Sequence, residues 1–342
     1  MTAKEFIEIK KEEERKSIHA WLLKAYPLSQ KESNVLENTL KALNNDEESV
    51  RQLSQFNKER SNYDNYLNII SEMASSLKED LNLYTNNKYE EIINRSSLGI
   101  LESGKIHAGC VNKNDYDEII DGYAIFINLG TYYALQLIAK SIIIENFQGD
   151  FIEYKGDGTS YLNKSVDIFF NRDHKVTNDI YWHEYPDDVH SVASAAQSSF
   201  SIKVMQFIGL HELGHIVNGD FDIMDYHKMY MLKDDEKISN IDSISKSHEL
   251  EYKADLFAFE NLFANIEEDI QKWSTFYSIY YFFMWLNLIE YKNGEELSKI
   301  HPSPLDRACR LKNEMMKITN DDLGFLDLLD ELDRKIQTYM ES

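Results

Sequence analysis

The sequence predicts an α+β fold that is predominantly α-helical and contains a small β-sheet. Most of the chain has few glycines and prolines and repeats apolar residues at helical spacing, whereas short apolar runs bounded by glycine cluster within residues 96–128. We place a domain boundary near Arg95. An N-terminal helical region, residues 1–95, would then precede a second domain, residues 96–342.

The N-terminal region predicts three or four helices, because residues 1–95 contain no glycine and a single proline, Pro27. The first helix should end near Tyr26, since the residue before a proline is disfavoured in the α region. Apolar residues at near-helical spacing mark two further packing stripes: Leu36, Leu40 and Leu43, and then Leu67, Ile70, Met73 and Leu77. We interpret these helices as structural. A sensor or partner-binding segment is the alternative.

The first strands are predicted after residue 96, where glycines at 99, 104 and 109 break the helical pattern. Residues 106–111 and 123–128 are short, apolar runs typical of strands. A turn at Gly156-Asp157-Gly158 suggests two more strands within residues 150–163. This turn lacks the Gly-Lys-Ser/Thr ending of a phosphate-binding loop, so it predicts no nucleotide site.

A strongly apolar helix is predicted at residues 131–147, and its length requires a membrane span to be considered. Asn128, Gln136 and Lys140 fall within the extended apolar stretch, and the run without them is too short to cross a bilayer. A helix buried in a protein core is therefore the better interpretation.

The next helix carries the motif His211-Glu212-Leu213-Gly214-His215. Two histidines four residues apart lie on one face of a helix, so both imidazoles can bind one zinc ion. Glu212 points about 100° away around the helix and can face a reacting water without binding the metal.

The surroundings of this motif support a metal site. From residue 192 to residue 210 the helix is apolar on nearly all sides, with Ile202, Val204, Met205, Phe207, Ile208 and Leu210. Such a helix is buried, and polar groups inside a core need a metal or hydrogen bonds to offset their desolvation. Two core histidines satisfied by hydrogen bonds are the alternative.

A second helix, predicted at residues 247–263 with Ser247 as its N-cap, offers the third ligand that a catalytic zinc needs. We choose Glu251, because Asp255 lies one turn later on the same face and can accept a ring N–H from a ligating histidine. Glu249 and His248 are rival ligands, and a solvated face is the alternative for Glu251 and Asp255.

Two polar stretches flank these helices. Residues 171–189, with His174, His183 and His190 in and beside them, show no ligand spacing, so a surface loop is favoured over a second metal site. Residues 224–247 join the two zinc-binding helices, and long connections of this kind often form lids or binding loops.

Three helices are predicted to close the chain. Residues 273–291 are rich in aromatic residues and favour a core helix over a hydrophobic substrate groove, with Gly294 marking its end. Residues 305–316 and 323–339 predict the other two.

Composition narrows the class of protein. The net charge of −23 repels phosphate backbones and anionic lipid, so we expect no nucleic-acid and no membrane partner. The two cysteines, Cys110 and Cys309, indicate neither a disulfide framework nor a cysteine zinc site. We expect a cytoplasmic protein, since the first residues lack the apolar core of a signal peptide. The sequence does not predict the oligomeric state.

The three motifs together resemble a known group. The segments HELGHIVNGD at residues 211–220, EYKAD at residues 251–255 and HPSPLDR at residues 301–307 are similar to the motifs of gluzincin metallopeptidases of the HtpX and CAAX-prenyl-protease type. The soluble phage-exclusion peptidases of the Lit type are closest in layout. The resemblance implies a zincin-like metallopeptidase core and a protein or peptide substrate.

By this resemblance, His211, His215 and Glu251 would bind Zn²⁺ and Glu212 would be the general base. His301 and Arg307 would contact the substrate or the developing oxyanion; without the resemblance, His301 would be taken for a loop histidine.

We therefore predict an intracellular zinc endopeptidase that cleaves a cytosolic protein, and the resemblance to the Lit-type peptidases implies that this enzyme acts in phage defence. A zinc-binding regulatory protein with a structural or vestigial site is the alternative, and hydrolysis of a non-peptide amide is a third hypothesis.

Overall fold

The computed structural model describes residues 1–13, 72–101, 107–113, 119–147, 157–171, 192–222, 241–294, 301–319 and 324–341. In this part of the chain, the structure is mostly helical and contains a three-stranded mixed sheet, which confirms the predicted α+β, mainly helical class.

The elements have the following bounds. Helices α1 and α2 span residues 3–13 and 72–84, and α3 spans Glu90–Arg95. The strands are β1 Ser96–Leu101, β2 Ala108–Lys113 and β3 Ile119–Asn128. The remaining helices are α4 Leu129–Phe147, α5 Gly158–Asn171, α6 Val192–Val217, α7 Ile241–Phe263, α8 Asp269–Asn293, α9 Pro304–Ile318 and α10 Phe325–Glu341.

The sheet has the order β1-β3-β2, with β1 parallel and β2 antiparallel to the central strand. One face packs Cys110 and Ile125 against Ile216 of helix α6. On the other face, Phe6 and Ile7 of helix α1 pack against residues of β2 and β3. The sheet therefore separates the α6 side from a layer formed by the first residues of the chain.

Strand β1 was not predicted from the sequence, whereas the other two strands of this sheet were. Gly99 interrupts the apolar pattern of β1, which hid the strand in the sequence. The structure shows why glycine is needed here, because a Cβ at this position would collide with the side chain of Ile7. The glycine thus marks close packing of α1 on a strand, which is one of the roles that glycine has inside sheets.

Helix α6 lies at the centre of the helical layer and packs against α4, α7 and α8. The aromatic helix α8 fills the core, as predicted, and ends at Gly294 in the left-handed conformation with φ 72°. Its fully buried side chains include Trp273, Phe276, Tyr280, Phe283 and Trp285. These buried rings make α8 the packing surface against which α6 and α9 lie.

Helices α2 and α3 of the N-terminal region join the same core, whereas α1 packs on the other face of the sheet. Leu77 and Leu81 of α2 are buried and face Gly209 of α6. Gln206 of α6 donates to Asp80 at 2.7 Å and accepts from Tyr84 at 3.1 Å. The boundary near Arg95 stays a prediction, as do the helix end near Tyr26 and the leucine stripe at residues 36–43, which lie outside the described residues.

Helix α4 is buried, as predicted, and includes the polar residues Gln136 and Lys140 within the core. Among the described residues, no helix is long and apolar enough to cross a membrane. The strand predicted after Gly156-Asp157-Gly158 is wrong, because helix α5 begins at Gly158. Asp157 accepts a hydrogen bond from the Ser160 backbone N–H at 2.7 Å, so the motif starts a helix.

Helix α7 also differs from its prediction, since it begins at Ile241 and Ser247 lies buried inside it. The two polar stretches predicted as loops fall largely outside the described residues.

Candidate metal centre

Helix α6 places His211, Glu212 and His215 in the protein interior, where their exposed fractions are 7%, 3% and 0%. The two imidazole rings lie edge to face with their centroids 4.7 Å apart. This arrangement follows from the i, i+4 spacing on an unbroken helix.

Helix α7 crosses α6 closely beside the motif. A Cβ on Gly214 would lie 3.1 Å from Ala254 Cα and 3.2 Å from Ala254 O. Such close backbone approach requires small residues on both helices. It allows Glu251, which is 2% exposed, to reach both histidines.

Three ligand atoms converge at this crossing. The Nε2 atoms of His211 and His215 are 3.1 Å apart. Glu251 Oε2 lies 3.5 Å from His211 Nε2, and its Oε1 lies 3.4 Å from His215 Nε2. Ligand atoms of a tetrahedral zinc are about 3.3 Å apart, given metal–ligand distances of about 2.0–2.1 Å. The spacing therefore fits a zinc ion.

A carboxylate lies beside the Nδ1 atom of each imidazole ring, on the side away from the converging Nε2 atoms. His215 Nδ1 is hydrogen-bonded to Asp220 Oδ2 at 2.7 Å, and His211 Nδ1 lies 2.9 Å from Asp255 Oδ1 in a contact that is not aligned as a hydrogen bond. A carboxylate on Nδ1 keeps the proton there and turns the Nε2 lone pair towards the metal position. Both rings are thus oriented as ligating histidines are.

The charges of these groups are strongly coupled. Burial alone would lower the pKa of His215, but Asp220 and Glu251 outweigh it and raise that pKa to about 10. Burial likewise disfavours the ionised form of Glu251, yet His301, His211 and His215 hold the pKa of its carboxyl well below its usual range. The cluster therefore favours a cation between its imidazoles and Glu251.

Two buried oxygens of the cluster also need a partner. Within the described part of the chain, neither Glu212 Oε2 nor Glu251 Oε2 has a hydrogen bond of good geometry, although His301 Nδ1 is 3.1 Å from the latter. Buried carboxylate oxygens without hydrogen bonds are costly unless they bind a cation or water. Among the described residues, His211, His215 and Glu251 form the group that can hold a metal ion.

Arg307 lies behind Glu251. Its Nε and Nη2 donate to the two oxygens of Asp255 at 2.7 and 2.6 Å, and its Nη1 is 3.7 Å from Glu251 Oε2. The guanidinium also covers the ring of Phe283, with 4.8 Å to its centroid. Two of its nitrogens therefore engage the carboxylate that contacts His211.

His301 is the more accessible of the two residues expected to contact substrate, since its side chain is 35% exposed. The rival ligand Glu249 is exposed and pairs with Lys253 at 2.7 Å. The structure thus brings together every residue of the predicted site and leaves Glu249 on the surface.

Two residues of this centre, Asp220 and Cys110, were not predicted from the sequence. Asp220 follows α6 after Gly219, whose φ of 72° turns the chain back towards His215. Cys110 comes from strand β2 and lies beside Glu212. The position of Asp220, five residues after the second histidine, was a local signal, whereas nothing local linked Cys110 to the motif.

Comparison with known protein families identifies a match for this chain. The family model described as Peptidase U49 matches residues 131–324, which is more than half of the 342-residue chain. No curated protein and no solved structure matches. The matched range includes the candidate metal centre on α6, α7 and α9 and leaves out the sheet.

Proposed function

The chain belongs to the peptidase U49 family, the family of the Lit-type peptidases, and from this premise we propose that it is a zinc-dependent endopeptidase. His211, His215 and Glu251 would hold the zinc ion, and Glu212 would be the general base.

The convergence of the two Nε2 atoms and Glu251 carries this proposal. With each Nδ1 against a carboxylate, both Nε2 lone pairs face the same small volume, where the nitrogens are 3.1 Å apart. One proton at most fits between them, whereas a zinc ion accepts both lone pairs and one carboxylate oxygen. A metal therefore satisfies this buried cluster better than protons do.

Zinc, when bound, would lower the pKa of a water molecule towards about 7 and polarise the carbonyl of the scissile peptide. Glu212 lies beside the ligands but does not join them, so its carboxylate can accept the proton that the attacking water loses. The same carboxyl group would then donate a proton to the leaving amine.

We assign different roles to the two residues that follow the third ligand. Arg307 would be a positioning residue, because its hydrogen bonds to Asp255 fix the carboxylate that orients His211. His301, partly exposed and next to Glu251, remains the candidate to donate a hydrogen bond to the oxyanion.

Strand β2 offers a place for the substrate. Among the described residues it is one of the two edge strands of the sheet, and it lies against α6. An extended peptide can add to such an edge through main-chain hydrogen bonds. We propose that a protein substrate binds there, with its scissile bond beside Glu212.

A cytosolic substrate and a role in phage defence are further parts of the proposal, supported by the resemblance to the Lit-type peptidases. Unchanged survival and an unchanged proteome after phage challenge of cells that express the active protein would contradict the defence role.

The test of the activity combines metal analysis with cleavage. Purified protein should contain about one zinc per chain, as expected for a three-ligand site. Glu212→Gln should keep that zinc and lose cleavage in a proteomic comparison with the wild type. Glu249→Gln, which changes an exposed acid near the same site, is the matched control and should behave as the wild type. Equal proteomes for all three proteins would instead favour a zinc-binding regulatory protein.

A further inference from the structure

Cys110 is a buried thiol that the proposed chemistry leaves without a role. It is 1% exposed and lies on strand β2, opposite Ile125 of β3. Its side chain points to the α6 face of the sheet, where it packs with Ile125 and Ile216.

The part of α6 that faces Cys110 is the part that carries Glu212. Ile216 follows Glu212 by four residues, so the two side chains lie one above the other on the helix. Consistent with this, the thiol is within hydrogen-bonding reach of the Glu212 carboxylate. Packing of the sheet on α6 thus brings a sulfur donor to the proposed base.

One oxygen of the Glu212 carboxylate is still available as an acceptor. Glu212 is 3% exposed, and its Oε2 has no hydrogen-bond partner among the residues that the structure describes. A donor on one side of a carboxylate fixes its rotation and leaves the other side available to a proton.

We propose that Cys110 is a positioning residue for Glu212, whose S–H group donates to the carboxylate and sets the direction in which the base accepts its proton. A small apolar residue would fill the same space, but it would not orient the carboxylate. The inference rests on the proposed function only in naming Glu212 as the base, since the contact itself can be tested without activity.

The thiol remains a donor at neutral pH. Burial first, and then Glu212, Asp220 and Glu251, raise the pKa of Cys110 well above its ordinary value. A buried thiol of this kind is unreactive and keeps its proton.

The S–H stretching band tests the contact directly. Cys110 and Cys309 are the only cysteines of the chain, so Cys309→Ala leaves Cys110 as the single thiol. In this background we expect the band of Cys110 at the lowered frequency of a hydrogen-bonded thiol. Glu212→Ala should move it to a higher frequency, whereas Glu249→Ala should leave it in place. An unchanged band in Glu212→Ala would overturn the proposal.

Kinetics tests the consequence for the base. We expect Cys110→Ala and Cys110→Val to lower kcat about tenfold or more, with KM and zinc content close to those of the wild type. Cys110→Ser keeps a donor and should restore most of the rate, and Cys309→Ser should change nothing. If the alanine and serine variants are equally active or equally impaired, the positioning role is wrong.

The two experiments also separate the proposals. If the wild type cleaves no protein but the band still responds to Glu212→Ala, the contact stands and the peptidase function fails. If the wild type cleaves protein normally but the S–H band is the same in Glu212→Ala, only the positioning role of Cys110 is wrong.

Discussion

Arg307 donates two parallel hydrogen bonds to Asp255, of 2.7 Å from Nε and 2.6 Å from Nη2. Asp255 in turn contacts His211 Nδ1 at 2.9 Å. Helix α9 is thereby connected, through one carboxylate of α7, to a proposed metal ligand on α6.

Arg307→Ala should weaken zinc binding, because the loss of a residue that supports a ligand typically costs about 10- to 100-fold in metal affinity. Arg307→Lys should recover little, since lysine cannot make the two-pronged contact. Zinc affinity measured by chelator competition checks both. Arg310→Ala, which removes an exposed arginine from the same helix, is the control. Loss of kcat with unchanged zinc affinity would instead place Arg307 at the oxyanion.

Asp220→Ala should have a similar effect through His215. Its carboxylate is 1% exposed and 2.7 Å from His215 Nδ1, so its removal frees the ring to rotate. We expect about 10- to 100-fold weaker zinc binding in the same competition assay. Asp121→Ala, at an exposed position, should bind zinc normally. Normal binding by Asp220→Ala would mean that packing alone orients the ring.

Gly214→Ala should separate α6 from α7, because the new methyl group would meet the Ala254 backbone at 3.1–3.2 Å. We expect a loss of stability of about 1–3 kcal/mol, as for overpacking in a core, and lower zinc content. Urea denaturation and metal analysis check these effects.

Gly209→Ala is the matched control on the same helix. The atoms nearest to its Cβ would be side-chain carbons of Leu81 and Leu77, at 3.4 and 3.5 Å. It should be neutral or stabilising, since alanine favours helix more than glycine does. Equal losses in both variants would contradict the close crossing as the cause.

Zinc should stabilise the folded protein, because the site is assembled only when α6 and α7 pack together. At a free zinc concentration of about 100 times Kd, the free energy of unfolding should rise by about 2.7 kcal/mol. Thermal unfolding with zinc and with chelator measures the difference. His215→Ala should lose this response, and a full response in that variant would argue against the assigned ligands.

Alkaline pH should destabilise the protein through Tyr277. Burial, together with Glu145 and Glu331, raises the pKa of this residue to about 12. A raised pKa in the folded state stabilises the protein below the unfolded pKa of about 10, and this contribution is lost as the pH rises towards 12.

Tyr277→Phe should therefore flatten the fall in stability between about pH 10 and pH 12, by about 2 kcal/mol at most. Urea midpoints measured across this range check it. Tyr291→Phe, at a position that is 55% exposed, should leave the slope unchanged. The same slope in Tyr277→Phe and in the wild type would rule out this tyrosine as its source.

The features that the sequence predicted best are those set by a single helix. His211, His215 and Glu212 follow from spacing on α6, and Asp255 from its position one turn after Glu251 on α7. The metal and the roles of these residues stay predictions. Their placement together in one buried cluster is what the structure adds.

Features that depend on distant parts of the chain were harder to predict. Cys110 reaches Glu212 only because the sheet packs on α6, and Gly99 belongs to a strand because Ile7 covers it. Gly156-Asp157-Gly158 has the composition of a hairpin turn, but the Asp157 side chain caps a helix instead. In the first two cases a contact between distant parts of the chain decides the structure, and in the third a local cap does so that glycine content alone does not predict.

The arginine that holds Asp255, Arg307, lies on α9, more than fifty residues later in the sequence. During synthesis, a chain that ended before residue 307 would already contain both imidazoles and Glu251, but it would lack the guanidinium that secures Asp255. The centre would therefore be completed only after residue 307 has been synthesised, so that a shorter chain would lack the contact that fixes Asp255 beside His211.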